Sequence, residues 1–176
     1  MKNNMKKYNH SFMIARFQPF HNGHKSIIDK MLKESENITI ILGSAQEYGT
    51  EKNPLSVIQR RNLIEKIYGK KENMKILSLS DIDCYIDYWY NHVLNFLKEK
   101  VPNFGFPNAY YCGDMENGHY YNKGEFLIEV VNRDNQKGFK KISATEIRSM
   151  IRKHDDNWKN YIPKEITNLI EEYFYN

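Results

Sequence analysis

Arg16, His21, Gly23 and His24 stand close together in the stretch IARFQPFHNGH, residues 14–24, and their types suit the handling of phosphate. A guanidinium fork clamps phosphate oxygens in pairs. Two imidazoles three positions apart share one face where a helix begins. Gly23 has no side chain, so a ligand can approach the backbone closely. The first N–H groups of a helix lack intrahelical acceptors and favour an anion. Gln18-Pro19-Phe20 supplies a turn ahead of these groups, with Pro19 fixing the backbone and Phe20 packing beneath it. No third or fourth ligand follows at metal-binding spacing, so a zinc site is not expected. A second helix start, SATEIR over residues 143–148, offers Ser143 as a cap, Thr145 and open N–H groups for phosphate, and Arg148 near the first turn.

Alternating strands and helices must carry these groups. Residues 12–15 read as a short buried strand, and Ile27, Ile28, Met31 and Leu32 then recur at helical spacing over 22–33. The β-branched run 38–42 is a second strand, closed by Gly43. Ser56 and Gln59 form a capping box after Pro54. It opens a helix whose inner side is expected to hold Ile58, Leu63, Ile64 and Ile67, with Gly69 at its end. Strands follow at 74–79, 109–112 and 126–131, with a helix at 87–100 between the first two. Ser143 and Glu146 make another capping box, and Ile166, Leu169, Ile170 and Phe174 mark a last amphipathic helix after Pro163. This alternation implies an α/β fold: a single-domain, Rossmann-like, doubly wound parallel sheet. Residues 1–10 are expected to form a flexible tail, with the domain spanning 11–176. Ligands of such sheets bind outside the carboxyl ends of the strands. Arg16 to His24, the turn 43–46 and the pair Asp81 and Asp83 all follow strands, so they converge on one edge.

Composition narrows the class. The 176 residues are 40% hydrophobic and 27% charged, which suits one globular domain. No apolar run could span a bilayer, and the basic N-terminus has no apolar core behind it, so a cytoplasmic protein is expected. Cys84 and Cys112 lack metal-type spacing and are read as structural or incidental. The net charge of +4 suits anionic small molecules. Lys6-Lys7, Lys70-Lys71 and Lys140-Lys141 are scattered pairs without a basic-aromatic stripe, so no nucleic acid is expected as partner. Trp158 is read as core.

FQPFHNGH resembles the H-x-G-H signature of the nucleotidyltransferase superfamily, and ISATEIR resembles its second signature, an S/T-x-x-R helix start. More narrowly, the blocks IARFQPFHNGH, ILGSAQEYGTEKNPLSVIQR, LSDIDCYIDYWYNHV and ISATEIRSMIRKHDDNWKNYIP resemble, in order, those of archaeal-type nicotinamide mononucleotide (NMN) adenylyltransferases. The resemblance implies transfer of the adenylyl group of ATP to NMN, giving NAD and pyrophosphate, with Mg2+ carried on the ATP phosphates. It implies that His21, His24, Arg16 and Arg148 serve catalysis. ATP would be held by Phe17, Gln18, Gly23, Ser143, Thr145, Gly113 and Asp114. NMN would meet Gly43, Ser44, Gln46, Asp81, Asp83 and Trp89, the last by stacking on the nicotinamide ring. The family forms multimers, which admits a homo-oligomer.

The chemistry agrees with these residue types. The NMN phosphate is already an anionic nucleophile, so no serine or cysteine nucleophile is required. Catalysis reduces to in-line positioning and charge neutralisation. The sequence departs from the family pattern in places. Ala15 stands for a glycine, Ser149 for a second arginine, and Gln59 for a glutamate. The interval before Trp89 is one residue longer, and an asparagine before it is absent. The rival readings are an adenylyl- or cytidylyltransferase with another phosphorylated acceptor, such as phosphopantetheine, and a non-catalytic nucleotide sensor. The stretch 103–123, rich in aromatic residues and glycine, is read as a surface loop that could lie on the substrate side.

Overall fold

Apolar side chains alternate along the central strand, and that alternation sorts the molecule into two layers. Met13 points to one face of the sheet, with Ile38, Ile40, Leu42, Ile76 and Tyr111. Phe12 points to the other, with Ile41, Tyr110 and Cys112. A computed structural model describes residues 5–83, 86–114, 118, 126–131 and 143–175. Five parallel strands are ordered β3-β2-β1-β4-β5: β1 Tyr8–Ala15, β2 Ser35–Leu42, β3 Met74–Ser78, β4 Ala109–Cys112 and β5 Leu127–Val130. Helices α1 (Asn22–Glu34), α2 (Val57–Tyr68), α4 (Ala144–Arg152) and α5 (Thr167–Tyr175) cover the Met13 face. Helix α3 (Ile86–Lys100) covers the Phe12 face through Tyr90, Val93 and Leu97. The sheet is thus doubly wound, as the alternation requires.

The order of strands fixes where a ligand can enter. The chain runs from β1 outward to β3, then crosses back to place β4 on the other side of β1. This reversal leaves a crevice at the carboxyl ends of β1 and β4. The β1–β4 ladder pairs Ser11 with Ala109 and Phe12 with Tyr110, while β1 itself continues to Ala15. The β1–β2 ladder, by contrast, runs through to Ala15 and Leu42.

Two expectations are corrected. The N-terminal tail ends earlier than residue 10, because β1 begins at Tyr8. Tyr8 is buried edge-on against Tyr111, and His10 is buried with its ring bonded to the Gly105 carbonyl and to Thr39, both at 2.9 Å. These long-range partners hold a segment whose own sequence reads as polar. Ile58, placed on the inner side of its helix, is 70% exposed. At 100° per residue it lies well off the face shared by Arg60, Leu63 and Ile64, which are buried. Both capping boxes form as read, Gly69 closes α2 at φ 66°, and Trp158 is fully buried. Cys84, Lys140-Lys141 and most of 115–125 lie outside the described residues.

Glu129 on β5 ties the start of β1 to this edge of the sheet. Its carboxylate accepts from Lys7, from Tyr8 and from Lys30, the last at 3.2 Å. Burial pushes the carboxyl up, but the three donors outweigh it and hold it at about 2, below the ordinary 4.5. A carboxyl lowered on folding stabilises the protein above its unfolded value and loses that contribution as pH falls through the folded one. Wild-type melting temperature is therefore expected to drop between pH 4.5 and 2. Glu129→Gln is expected to melt lower at neutral pH and to lose less over that interval. Parallel melting curves of the two proteins through the interval would remove Glu129 from the acid response.

Candidate functional site

The turn after β1 is built from inside out. Phe17 and Phe20 are buried, with stacked rings 6.0 Å apart, and Phe20 lies beneath the turn as read. The His24 ring rests on both, 4.6 Å from Phe17 and 5.7 Å from Phe20. Gln18 is buried and pairs its amide with the Leu55 backbone in both directions, at 2.7 and 2.9 Å. This fastens the turn to the loop before α2. The Gln18 side chain therefore acts on position, while the Gln18 backbone carbonyl faces Arg148.

His21 is the N-cap of α1, an unusual residue in that place. Its Nδ1 accepts the Gly23 N–H at 3.1 Å, so that nitrogen carries no proton. The ring proton of a neutral His21 then sits on Nε2. His21 is 3% exposed, and its ring stacks on His24 at 3.8 Å. The spacing that places both imidazoles on one face is thus realised. Gly23 also serves the cap, through its N–H.

The second helix start arrives beside the first. Arg148 is 5% exposed, and its Nη1 donates to the Gln18 carbonyl at 2.7 Å. Its Nη2 donates to Thr145 at 3.2 Å, while Nε finds no acceptor among the described residues. Burial lowers this guanidinium from its ordinary value; the charges of Arg16 and Arg152 lower it further, and Glu51 opposes them. An anion beside Arg148 would meet the positive charges of Arg16 and Arg152 as well. Arg16 is exposed and held lightly, with Nη1 3.4 Å from Asn53. Ser143 is occupied as the cap of α4: its hydroxyl accepts from the Glu146 N–H, and Glu146 accepts from the Ser143 N–H at 2.8 Å.

A second wall lies beyond β2 and β3. Gly43 and Ser44 leave β2, and Gln46 exchanges bonds with Asp81: side chain to carboxylate at 3.1 Å, and Asp81 N–H to side chain at 3.0 Å. Asp81 and Asp83 are exposed in the loop after β3. Trp89 is half-buried on the flank of α3, against the second apolar cluster and 5.8 Å from His92. Gly113 and Asp114 leave β4, where the Cys112 thiol donates to the Asp114 carbonyl at 3.0 Å. Cationic groups with two imidazoles thus follow β1, and amide and carboxylate groups follow β2 and β3.

Arg60 is a residue that reading the sequence missed. It is fully buried and donates to the carbonyls of Arg16, Gly43, Ser44 and Ser56. In the sequence it stood only as the neighbour of the departure at Gln59. The available signal was an arginine on the helical face of Leu63 and Ile64. Phe17 and Ser44 have φ of 54° and 47°, left-handed values that cost non-glycine residues about 1–3 kcal/mol each.

A cytidylyltransferase-like family model matches residues 12–150. The nicotinamide-nucleotide adenylyltransferase of Picrophilus torridus is 30% identical over 167 residues, 92% of this chain and 90% of that one. The enzyme of the same name from Methanococcus vannielii is 29% identical, covering 92% and 88%. Among solved structures, a bifunctional NMN adenylyltransferase/ADP-ribose pyrophosphatase from Francisella tularensis, complexed with AMP and a manganese ion, superposes with a TM-score of 0.66 at 25% identity. The match covers 90% of this chain and 44% of that protein, so this chain spans less than half of the bifunctional one.

Proposed function

The chain belongs to the cytidylyltransferase-like family of nucleotidyltransferases, and we infer that it transfers the adenylyl group of ATP to NMN, giving NAD and pyrophosphate. The observation that carries this reading is the 2.7 Å bond from Arg148 to the Gln18 carbonyl, which joins two phosphate-type helix starts 130 residues apart. The archaeal relatives' shared name, over nine-tenths of this chain, supports the acceptor.

A phosphate oxygen of NMN attacks the α-phosphorus of ATP. The new P–O bond forms as the bond to the β-phosphate oxygen breaks, and pyrophosphate leaves with the electron pair. His21 and His24 donate to the phosphates from one face, and Arg16 and Arg148 offset the charge that develops. Phe17, Gln18 and Thr145 hold these groups in place, and Gly23, Ser143, Gly113 and Asp114 border the ATP side. Gly43, Ser44, Gln46, Asp81 and Asp83 line the NMN side, and Trp89 stacks on the nicotinamide ring. A divalent cation accompanies the nucleotide, Mg2+ in this reading, held by the phosphates. Among the described residues no group of three His, Cys, Asp or Glu side chains is placed to hold a metal. The reading includes a cytoplasmic protein that can assemble with copies of itself and takes nucleotides, not nucleic acid. No helix among the described residues is long and apolar enough to cross a membrane.

The experiment is an acceptor screen with pyrophosphate detection. With Mg2+, ATP and NMN, the purified protein is expected to form NAD and pyrophosphate in equal amounts. Pyrophosphate release only with another phosphorylated acceptor, such as phosphopantetheine, would replace NMN. Tight ATP binding without turnover on any acceptor would make the protein a sensor.

A further inference from the structure

We propose that Arg60 is a positioning residue for adenylyl transfer: its guanidinium fixes the two strand exits that set the ATP wall against the acceptor wall. The proposal rests on the reaction inferred above. The Arg16 carbonyl belongs to the peptide unit that enters Phe17, and the Gly43 carbonyl to the unit that enters Ser44. These are two of the three non-glycine residues with positive φ among the described residues. Rotation about φ turns a residue against the peptide unit before it, so holding that unit anchors one side of each left-handed turn.

One nitrogen of Arg60, Nη1, holds both of these carbonyls, at 3.0 Å for Arg16 and 2.7 Å for Gly43. Nη2 adds the Ser44 carbonyl at 3.3 Å, and Nε reaches Ser56 at 3.4 Å. A planar fork can serve all four acceptors at once, whereas an ammonium is a point charge on a flexible stem. The residue is fully buried, and burial lowers its guanidinium from the ordinary value while Asp81 raises it. The charge is tolerated because every bond it makes ends on a carbonyl oxygen of the site's own frame.

The first exit leads to Arg16, His21 and His24, and the second to Gly43, Ser44 and Gln46. In-line transfer depends on the distance between groups held by these two segments, and a misplacement of about 1 Å costs roughly 100-fold in rate. Arg60 therefore governs turnover more than the binding of either substrate alone.

The test compares wild type with Arg60→Lys and Arg60→Met, each checked for folding by thermal melting before assay. Arg60→Lys is expected to fold, to lose about 100-fold in kcat, and to keep KM for ATP and for NMN within about threefold. Its crystal structure is expected to show Phe17 or Ser44 leaving the left-handed region. If Arg60→Met fails to fold, Arg60→Lys and Arg60→Gln carry the comparison. Wild-type kcat in Arg60→Lys, a loss confined to KM, or unchanged φ at both residues overturns the proposal. If wild type itself forms no NAD, the reaction fails separately, and the two φ angles in the Arg60→Lys structure decide the clamp.

Discussion

Replacing His24 by alanine is expected to lower kcat by about 10²–10³-fold, the loss seen when one preorganised donor to a developing charge is removed. His24 is the cleaner of the two imidazoles to test. His21 caps α1 through Nδ1, so its loss would also cost about 1 kcal/mol of helix stability. His24 lies three residues into the chain beyond that cap. Its ring lies on Phe17, Phe20 and His21. The stack also explains why two histidines are used. His21 must leave Nδ1 unprotonated to hold the cap, so it donates from Nε2 alone. His24 can then add its own donor without breaking the helix start. Steady-state rates with saturating ATP and NMN, beside an unchanged melting temperature, would show the effect. Turnover equal to wild type would remove His24 from the chemistry.

Local features were legible in the sequence and non-local ones were not. The capping boxes at Ser56 and Ser143 depend on side chains three residues apart, so spacing alone reveals them. The strand exits follow from apolar runs that end at Arg16 and Gly43, and these mark the edge that carries the candidate site. Tyr8 and His10 read as part of a tail because their partners, Glu129, Tyr111, Gly105 and Thr39, are distant in the chain. Gln18 entered as an ATP contact through the family resemblance, and nothing in the sequence announces Leu55 as the partner of its amide. Arg60 was invisible for a related reason. A buried arginine satisfied by backbone carbonyls leaves no acidic residue at a helical interval to betray it. Periodicity also misplaced Ile58, since one apolar residue in a first turn carries no information about its face.

Arg148→Ala is expected to lower kcat/KM for ATP by roughly 10–150-fold. The estimate takes about 1.5–3 kcal/mol for a charge-assisted bond, at about 1.4 kcal/mol per factor of ten. The buried guanidinium already uses Nη1 on Gln18 and Nη2 on Thr145, which aims Nε and the remaining N–H bonds. Burial lowers the Arg148 guanidinium, and the charges of Arg16 and Arg152 lower it further, so a triphosphate there meets positive charge as well as N–H donors. The family pattern's second arginine is Ser149 here. Arg152 lies on the Arg148 face one turn later and is tethered to Glu51 at 3.1 Å, where water weakens its charge. Arg152→Ala should therefore cost less than Arg148→Ala. Arg148→Lys separates charge from geometry: an ammonium keeps the former but lacks the fixed planar fork that spans Gln18, Thr145 and a phosphate. It is expected to recover only part of the loss, and raising ionic strength should weaken ATP less in Arg148→Ala than in wild type. Full recovery in Arg148→Lys would reduce the residue to a point charge. Unchanged kcat/KM in Arg148→Ala would sever the second helix start from the ATP site.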